Sequence, residues 1–176
     1  MTTIADRLYF FSGSADLPPG HGVHEGVADP ARYAPLAGVR HWRRMLSNFW
    51  PADFMLRQRT YRTVEHAFQA TKIALTDPAL AERFALESGT ALARGDGAMA
   101  RKHRKLVLLD DPQLRQWDGL RHAVMREAMH AKFSGHEPLR AVLLATLPAE
   151  LWHGTGRGQP PTRIHDLETI RDQLRQ

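Results

Sequence analysis

Apolar residues recur along the second half of the chain at spacings of three and four, the period of an amphipathic helix. Leu120, Val124, Ala128 and Ala131 trace one stripe, and Leu139, Val142, Leu143 and Thr146 trace another. The punctuation fits. Asp77-Pro78, Asp111-Pro112 and Glu137-Pro138 place proline where a first helical turn tolerates it. The longest stripe is predicted to open at Trp117-Asp118 and to stop at Gly135. A helix from Asp77 is predicted to end near Gly89, a short one capped by Thr90 ends at Gly95, and residues 164–174 form a terminal helix. Strand signals are fewer: Leu8-Tyr9-Phe10-Phe11, and a hairpin of residues 54–57 and 60–63 around Gln58-Arg59. Residues 12–35, rich in Gly, Pro and His, read as a long loop of the kind that is often functional or mobile. Residues 154–161 are a second Gly/Pro loop. The expectation is one mainly α domain over residues 1–176, with a small β element and a sizeable core.

One further helix carries chemistry. Thr63 can cap it, since its hydroxyl accepts from a free amide of the first turn. At roughly 3.6 residues per turn, Glu65, Gln69 and Lys72 fall on one face, while Val64, Ala67, Phe68 and Thr71 cover the arc that packs inward. Glu65 and Lys72 are separated by about 10 Å along the axis, with Gln69 between them. By spacing alone this is a solvated face carrying a charge pair. The alternative is the floor of a polar site, to which Asn48, Phe49 and Trp50 would come from across the hairpin. In that case Asn48 and Gln69 would orient hydroxyls or a base edge, and the rings would stack on a flat group. Lys72 is equally a charge partner or an amine that exchanges with an imine as a Schiff base.

Composition narrows the classes. The chain has no cysteine, which excludes disulfides and thiolate metal sites and fits a cytoplasmic location. No apolar run reaches the length of a membrane span, so no membrane partner is expected. The ten histidines include no H-E-x-x-H and no ligand spacing, so neither metal nor cofactor is expected. The net charge of +5 favours phosphate-bearing partners without by itself making a nucleic-acid binder. Arg101-Lys102-His103-Arg104-Lys105, following Gly95-Asp96-Gly97, is either a receiver for pyrophosphate or nucleic-acid backbone or a solvated basic turn. Gly154-Thr155-Gly156-Arg157-Gly158 lacks the lysine-hydroxyl ending and the strand-helix context of a phosphate loop.

The order of these segments resembles the NADAR, or YbiA-like, family. Leu46-Ser47-Asn48-Phe49-Trp50-Pro51, a strand pair, and then Thr63-Val64-Glu65-His66-Ala67-Phe68-Gln69-Ala70-Thr71-Lys72 is similar to its signature. Gly95 to Lys102 resembles its Gly/Arg segment in a longer variant. Gln116-Trp117-Asp118, Val124-Met125-Arg126-Glu127-Ala128 and Lys132-Phe133 resemble its W-D…V-M-x-x-A…K-F helix. The resemblance runs from about Tyr9 to the C-terminus and implies an orthogonal helical bundle. It also implies a hydrolase cutting N-glycosidic bonds of ribose derivatives. Some members remove ADP-ribose from guanine, and bacterial relatives hydrolyse early riboflavin-pathway intermediates.

The resemblance makes Glu65 the catalytic carboxylate and Trp117 a site aromatic. The site expected here has Glu65 and Lys72 as catalytic groups. Asn48, Phe49, Gln69, Gly95, Arg101, Lys102, Trp117 and Trp152 would bind substrate, with Trp117 at a pocket lip and Trp152 closing over the ligand. Many relatives carry D-x-x-W-G-x-G near the C-terminus, whereas Glu150-Leu151-Trp152-His153-Gly154-Thr155-Gly156 stands here. Glu150 or Asp166 would replace the missing acid, or another group would. Three functions are compatible: de-ADP-ribosylation of guanine in a nucleotide or nucleic acid, the same chemistry on a riboflavin-pathway intermediate, and a non-catalytic ADP-ribose or nucleic-acid binding module. The first implies a cognate ADP-ribosyltransferase as a partner; oligomeric state is not legible.

Overall fold

The computed structural model describes residues 5–154 and 158–176. Along the chain run β1 (Arg7–Phe10), α1 (Ala34–Ala37), α2 (Trp42–Leu46), β2 (Phe54–Leu56), β3 (Arg59–Tyr61) and α3 (Val64–Ile73). Then follow α4 (Pro78–Glu82), α5 (Ala91–Arg94), α6 (Gly97–Lys102), α7 (Asp111–Gly135), α8 (Glu137–Ala145), β4 (Glu150–His153), β5 (Thr162–Arg163) and α9 (His165–Leu174). The fold is mainly α with a small β element, as the apolar periodicity predicts. Two compact units divide the chain: Met1–Ser47 with His136–Gln176, and Asn48–Gly135.

In the first unit β1 pairs in parallel with β4, and β4 pairs antiparallel with β5. Leu8 sits opposite Leu151, and both are fully buried. The inward stripe of α8 is as predicted, with Leu139, Val142, Leu143 and Thr146 all buried. Arg171 of α9, also buried, donates from Nη1 to Thr146 Oγ1 at 3.0 Å and to the Ala149 carbonyl at 2.8 Å. These bonds satisfy polar groups where α8 turns into β4.

The long loop between β1 and α2 is built around one carboxylate. Glu25 accepts from the amides of Gly20 (2.8 Å), Gly22 (3.0 Å) and Tyr9 (3.2 Å). It also accepts from Arg43 Nε at 2.9 Å and Nη2 at 2.7 Å, with the Glu25 side chain fully buried and that of Arg43 4% exposed. Arg43 donates further to the carbonyls of Leu17 and Pro18. Removing one partner of such a pair strands the other charge in the interior. Glu25→Ala is therefore expected to cost about 3 kcal/mol in urea unfolding. A loss below about 1 kcal/mol would show that the loop does not depend on this ion pair.

In the second unit α3 packs against α4, α6 and α7. Its far end joins a cluster of Ala70, Ile73, Ala81, Phe84, Leu92 and Ala100. Three boundaries differ from the sequence expectation. The helix from Asp77 closes at Glu82, and a separate 3-10 turn over Leu86–Ser88 leads to Gly89. The hairpin turn is Arg57-Gln58, because Leu56 pairs with Arg59, and both turn residues take positive φ (48° and 65°). That geometry matches the twist of a two-residue hairpin. The long helix begins at Asp111, ahead of Trp117. Asp110 Oδ1 accepts from Gln113 N at 2.9 Å, and Gln113 Oε1 accepts from Asp110 N at 2.9 Å, a reciprocal cap one position before the one expected. The buried stripe of α7 also shifts. It holds Trp117, Val124, Ala128, Met129, Lys132 and Phe133, while Leu120 is 38% exposed.

Candidate active site

Helix α3 starts as predicted: Thr63 Oγ1 accepts from His66 N at 3.2 Å. His66 is fully buried, and its Nε2 lies 3.0 Å from the Leu92 carbonyl, which can only accept. The imidazole proton therefore sits on Nε2, and Nδ1 accepts from the Thr63 hydroxyl at 2.8 Å. Burial, the largest influence, lowers the His66 pKa and favours this neutral form. His66 thus joins the start of α3 to α5 through its two ring nitrogens. Among the described residues no group of His, Asp and Glu is arranged to hold a metal.

Glu65 does not lie on a solvated face. It is 7% exposed, and Gln69 is 4% exposed. Glu65 Oε1 accepts from Gln69 Nε2 at 2.8 Å, and its backbone amide donates to the Asn48 carbonyl at 3.2 Å. Burial raises the Glu65 pKa above the ordinary carboxylate value. The Gln69 donor opposes that rise, followed by the charges of Arg101 and Arg104. A buried carboxyl with a raised pKa is a candidate acid or base. Gln69 Oε1 is buried with no partner among the described residues. This acceptor, beside a buried carboxyl, can accept from a donor such as a ribose hydroxyl or an exocyclic amine.

Other predicted site residues converge on this helix to different degrees. Asn48 is half-buried, with Nδ2 3.2 Å from Met125 Sδ of α7. Phe49 lies against Gly97 at the start of α6, where an added Cβ would stand 2.7 Å from Phe49 Cα and 2.6 Å from Cγ. The approach needs a residue without a side chain. Gly97 is a positioning residue that the sequence reading missed. Its signal was Asp96, the N-cap of α6, immediately before a glycine in the first helical position. Gly97→Ala is expected to push back the Asn48-Phe49 segment and cost about 1–3 kcal/mol, read as a lower Tm. An unchanged Tm would mean the segment yields freely.

Gly95 closes α5 in extended conformation, and Met99 occupies the space a side chain would need. Arg101 and Lys102 are exposed on α6, with Arg104 and Lys105 exposed just beyond. Lys72 is half-buried in the last turn of α3. Gln69, not Lys72, is the hydrogen-bond partner of Glu65. Trp117 is 6% exposed and packs edge-on against Phe68 of α3, ring centres 4.8 Å apart at 62°.

Trp152 belongs to the first unit. Its Nε1 donates to Glu150 Oε2 at 3.0 Å, and its ring stacks on Tyr9 at 6.1 Å and 19°. Glu150 is engaged with Arg163 at 2.7 Å and Arg7 at 3.4 Å. Asp166 lies half-buried in the first turn of α9. Thr155, Gly156 and Arg157, on which the phosphate-loop reading rests, lie outside the described residues.

The NADAR domain model matches residues 39–157. This chain belongs to the NADAR family. N-glycosidase YbiA of Escherichia coli (strain K12) is 35% identical over 138 residues, 73% of this chain and 79% of the relative. N-glycosidase YbiA of Shigella boydii serotype 4 (strain Sb227) matches with the same identity and coverage. The solution NMR structure of E. coli YbiA superposes with a TM-score of 0.58 at 27% identity, covering 76% of this chain and 79% of that one. The NADAR match contains every residue from Asn48 to Lys132 placed above.

Proposed function

We propose that this NADAR protein hydrolyses the N-glycosidic bond between ADP-ribose and guanine, in a nucleotide or in nucleic acid. The coarser activity, hydrolysis of N-glycosyl bonds, comes with the family and with relatives that are N-glycosidases. One observation carries the finer reading. A buried carboxyl with a raised pKa lies under the influence of two guanidinium groups from an exposed basic segment. Cleavage proceeds through an oxocarbenium-like state, which a carboxylate stabilises while activating water, or which its protonated form assists by donating to the leaving nitrogen. Arg101, Lys102 and Arg104 supply the charge-assisted donors a pyrophosphate needs. Gln69 Oε1 would accept from a ribose hydroxyl, and Asn48 and Phe49 would border the base. Trp117 supports that wall through Phe68, and Gly95 shapes the turn into the basic segment.

The test is turnover of ADP-ribosylated guanosine measured beside the pyrimidine phosphoribosyl intermediate of riboflavin synthesis. Release of free guanosine, at a kcat/KM well above that for the pyrimidine, is expected. The reverse preference assigns the enzyme to the small intermediate. Binding of either without turnover, unaltered in Glu65→Gln, leaves a binding module. Lys72 is tested separately. If it exchanges with the ring-opened sugar as a Schiff base, borohydride added during turnover leaves a stable adduct on the α3 peptide, read by mass spectrometry. The absence of an adduct assigns the chemistry to Glu65 and water alone.

A further inference from the structure

We propose that a cavity in the first unit binds a flat, uncharged aromatic or heteroaromatic ring. The cavity measures about 400 Å³, within the roughly 300–1,000 Å³ range of small-molecule sites. The rings of Tyr9, Phe11 and His24 form its walls, and Leu17 and Val23 its rim. Tyr9 is backed by the stacked Trp152 ring and meets His24 at 6.0 Å and 53°. Val23 is 75% exposed and Leu17 41%, an apolar mouth that a bound ring would cover.

The charge balance selects the ligand. Arg43 is the only Arg, Lys, Asp or Glu among the described wall residues. Its guanidinium is already committed to both Glu25 oxygens and to the carbonyls of Leu17 and Pro18. Little donor capacity remains for a phosphate or a carboxylate. Neutral hydrogen-bonding groups line the cavity, among them Ser14 and Gln159. Ser14 Oγ accepts from Phe11 N at 2.9 Å and keeps its own proton to donate, and Gln159 offers an exposed amide. These suit the polar edge of a heterocycle. Of the described wall residues, Arg43 and Gly154 fall within the NADAR match of residues 39–157 and the others lie outside it. The inference does not rest on Glu65.

The experiment titrates the protein with indole, with benzoate as a flat anion and with cyclohexanol as an uncharged non-planar control. Calorimetry reads affinity, and amide NMR shifts locate the site. Saturable indole binding is expected, with shifts at Tyr9 and His24 and at least tenfold weaker binding of both controls. Ala15→Trp fills the cavity from an exposed wall position and is expected to weaken indole at least tenfold. Val23→Ala, at the exposed rim, tests the same mouth without adding bulk and is expected to weaken it at least threefold. Absence of saturable indole binding, equal binding of benzoate, or wild-type affinity in either variant would overturn the proposal. No turnover is measured, so failure here leaves the glycosidase reading untouched.

Discussion

Glu65→Gln is expected to lower kcat about a hundred- to ten-thousand-fold, the usual contribution of a positioned acid or base. That corresponds to roughly 3–5 kcal/mol of barrier. The fold should survive, because the substituted amide keeps an oxygen for Gln69 Nε2, which now donates at 2.8 Å. Stability and chemistry therefore separate at this residue. The pH profile supplies a second signature. Burial places the Glu65 pKa above that of an ordinary glutamate, so the acid limb of kcat/KM should lie at correspondingly higher pH. Arg101 pulls that pKa down, and Arg101→Ala should move the limb further up. The same variant should raise KM, since a pyrophosphate loses a donor. Unchanged kcat in Glu65→Gln would remove Glu65 from the chemistry, whatever the limb does.

The second large effect concerns stability. Lys132 of α7 is fully buried, its nitrogen 4.7 Å from the Phe133 ring centre, and burial pulls its pKa from 10.5 down to about 7. The unfolded chain then binds a proton that the folded chain does not between those values. Stability must rise with pH across this window, is fully recovered above about 10.5, and is lost as pH falls to about 7. From pH 7 to about 9.5 the gain is on the order of 3 kcal/mol, at about 1.4 kcal/mol per unit. Stopping there avoids Tyr33, whose pKa is pushed well above its usual value mainly by burial. Being an acid, Tyr33 works the other way as it titrates in the unfolded chain. Urea unfolding in that range reads the slope, and Lys132→Met, similar in size and uncharged, should flatten it. A flat wild-type profile, or the same slope in the Met variant, would mean Lys132 is not the titrating group.

Glu65, Gln69 and Lys132 stand in sequence settings that suggest an exposed or merely apolar role. Glu65 and Gln69 occupy helical positions that a spacing argument assigns to solvent. They are buried because the Asn48-Phe49 segment closes over the start of α3, with Gly97 allowing that segment to approach α6. Lys132 follows a predicted apolar stripe and lies in the core itself. Helical period ranks positions by angle, but it cannot say how many sides of a helix are covered.

Much of the secondary structure was legible in the residues. The caps Thr63, Asp77 and Thr90 each accept from the first turn they precede, and the α8 stripe is buried as the pattern requires. These are local effects, in which a side chain meets backbone three residues away. The ordered motifs from Leu46 to Phe133 also placed the chain among its relatives. Tertiary structure decided the rest. The parallel pairing of β1 with β4 joins Arg7 to Glu150 across most of the chain, beyond the reach of a local pattern. Residues 12–35 read as a long loop, functional or mobile; the fold shows much of it organised around Glu25, whose partner Arg43 lies outside it. By itself the sequence determined where α3, α4, α5 and α8 begin and which residues carry reactive groups, because those depend on neighbours along the chain. Only the folded chain decided which groups lose water and which partners they meet. Desolvation and pairing depend on neighbours in space, and they turn Glu65 from a surface charge into a candidate acid-base group.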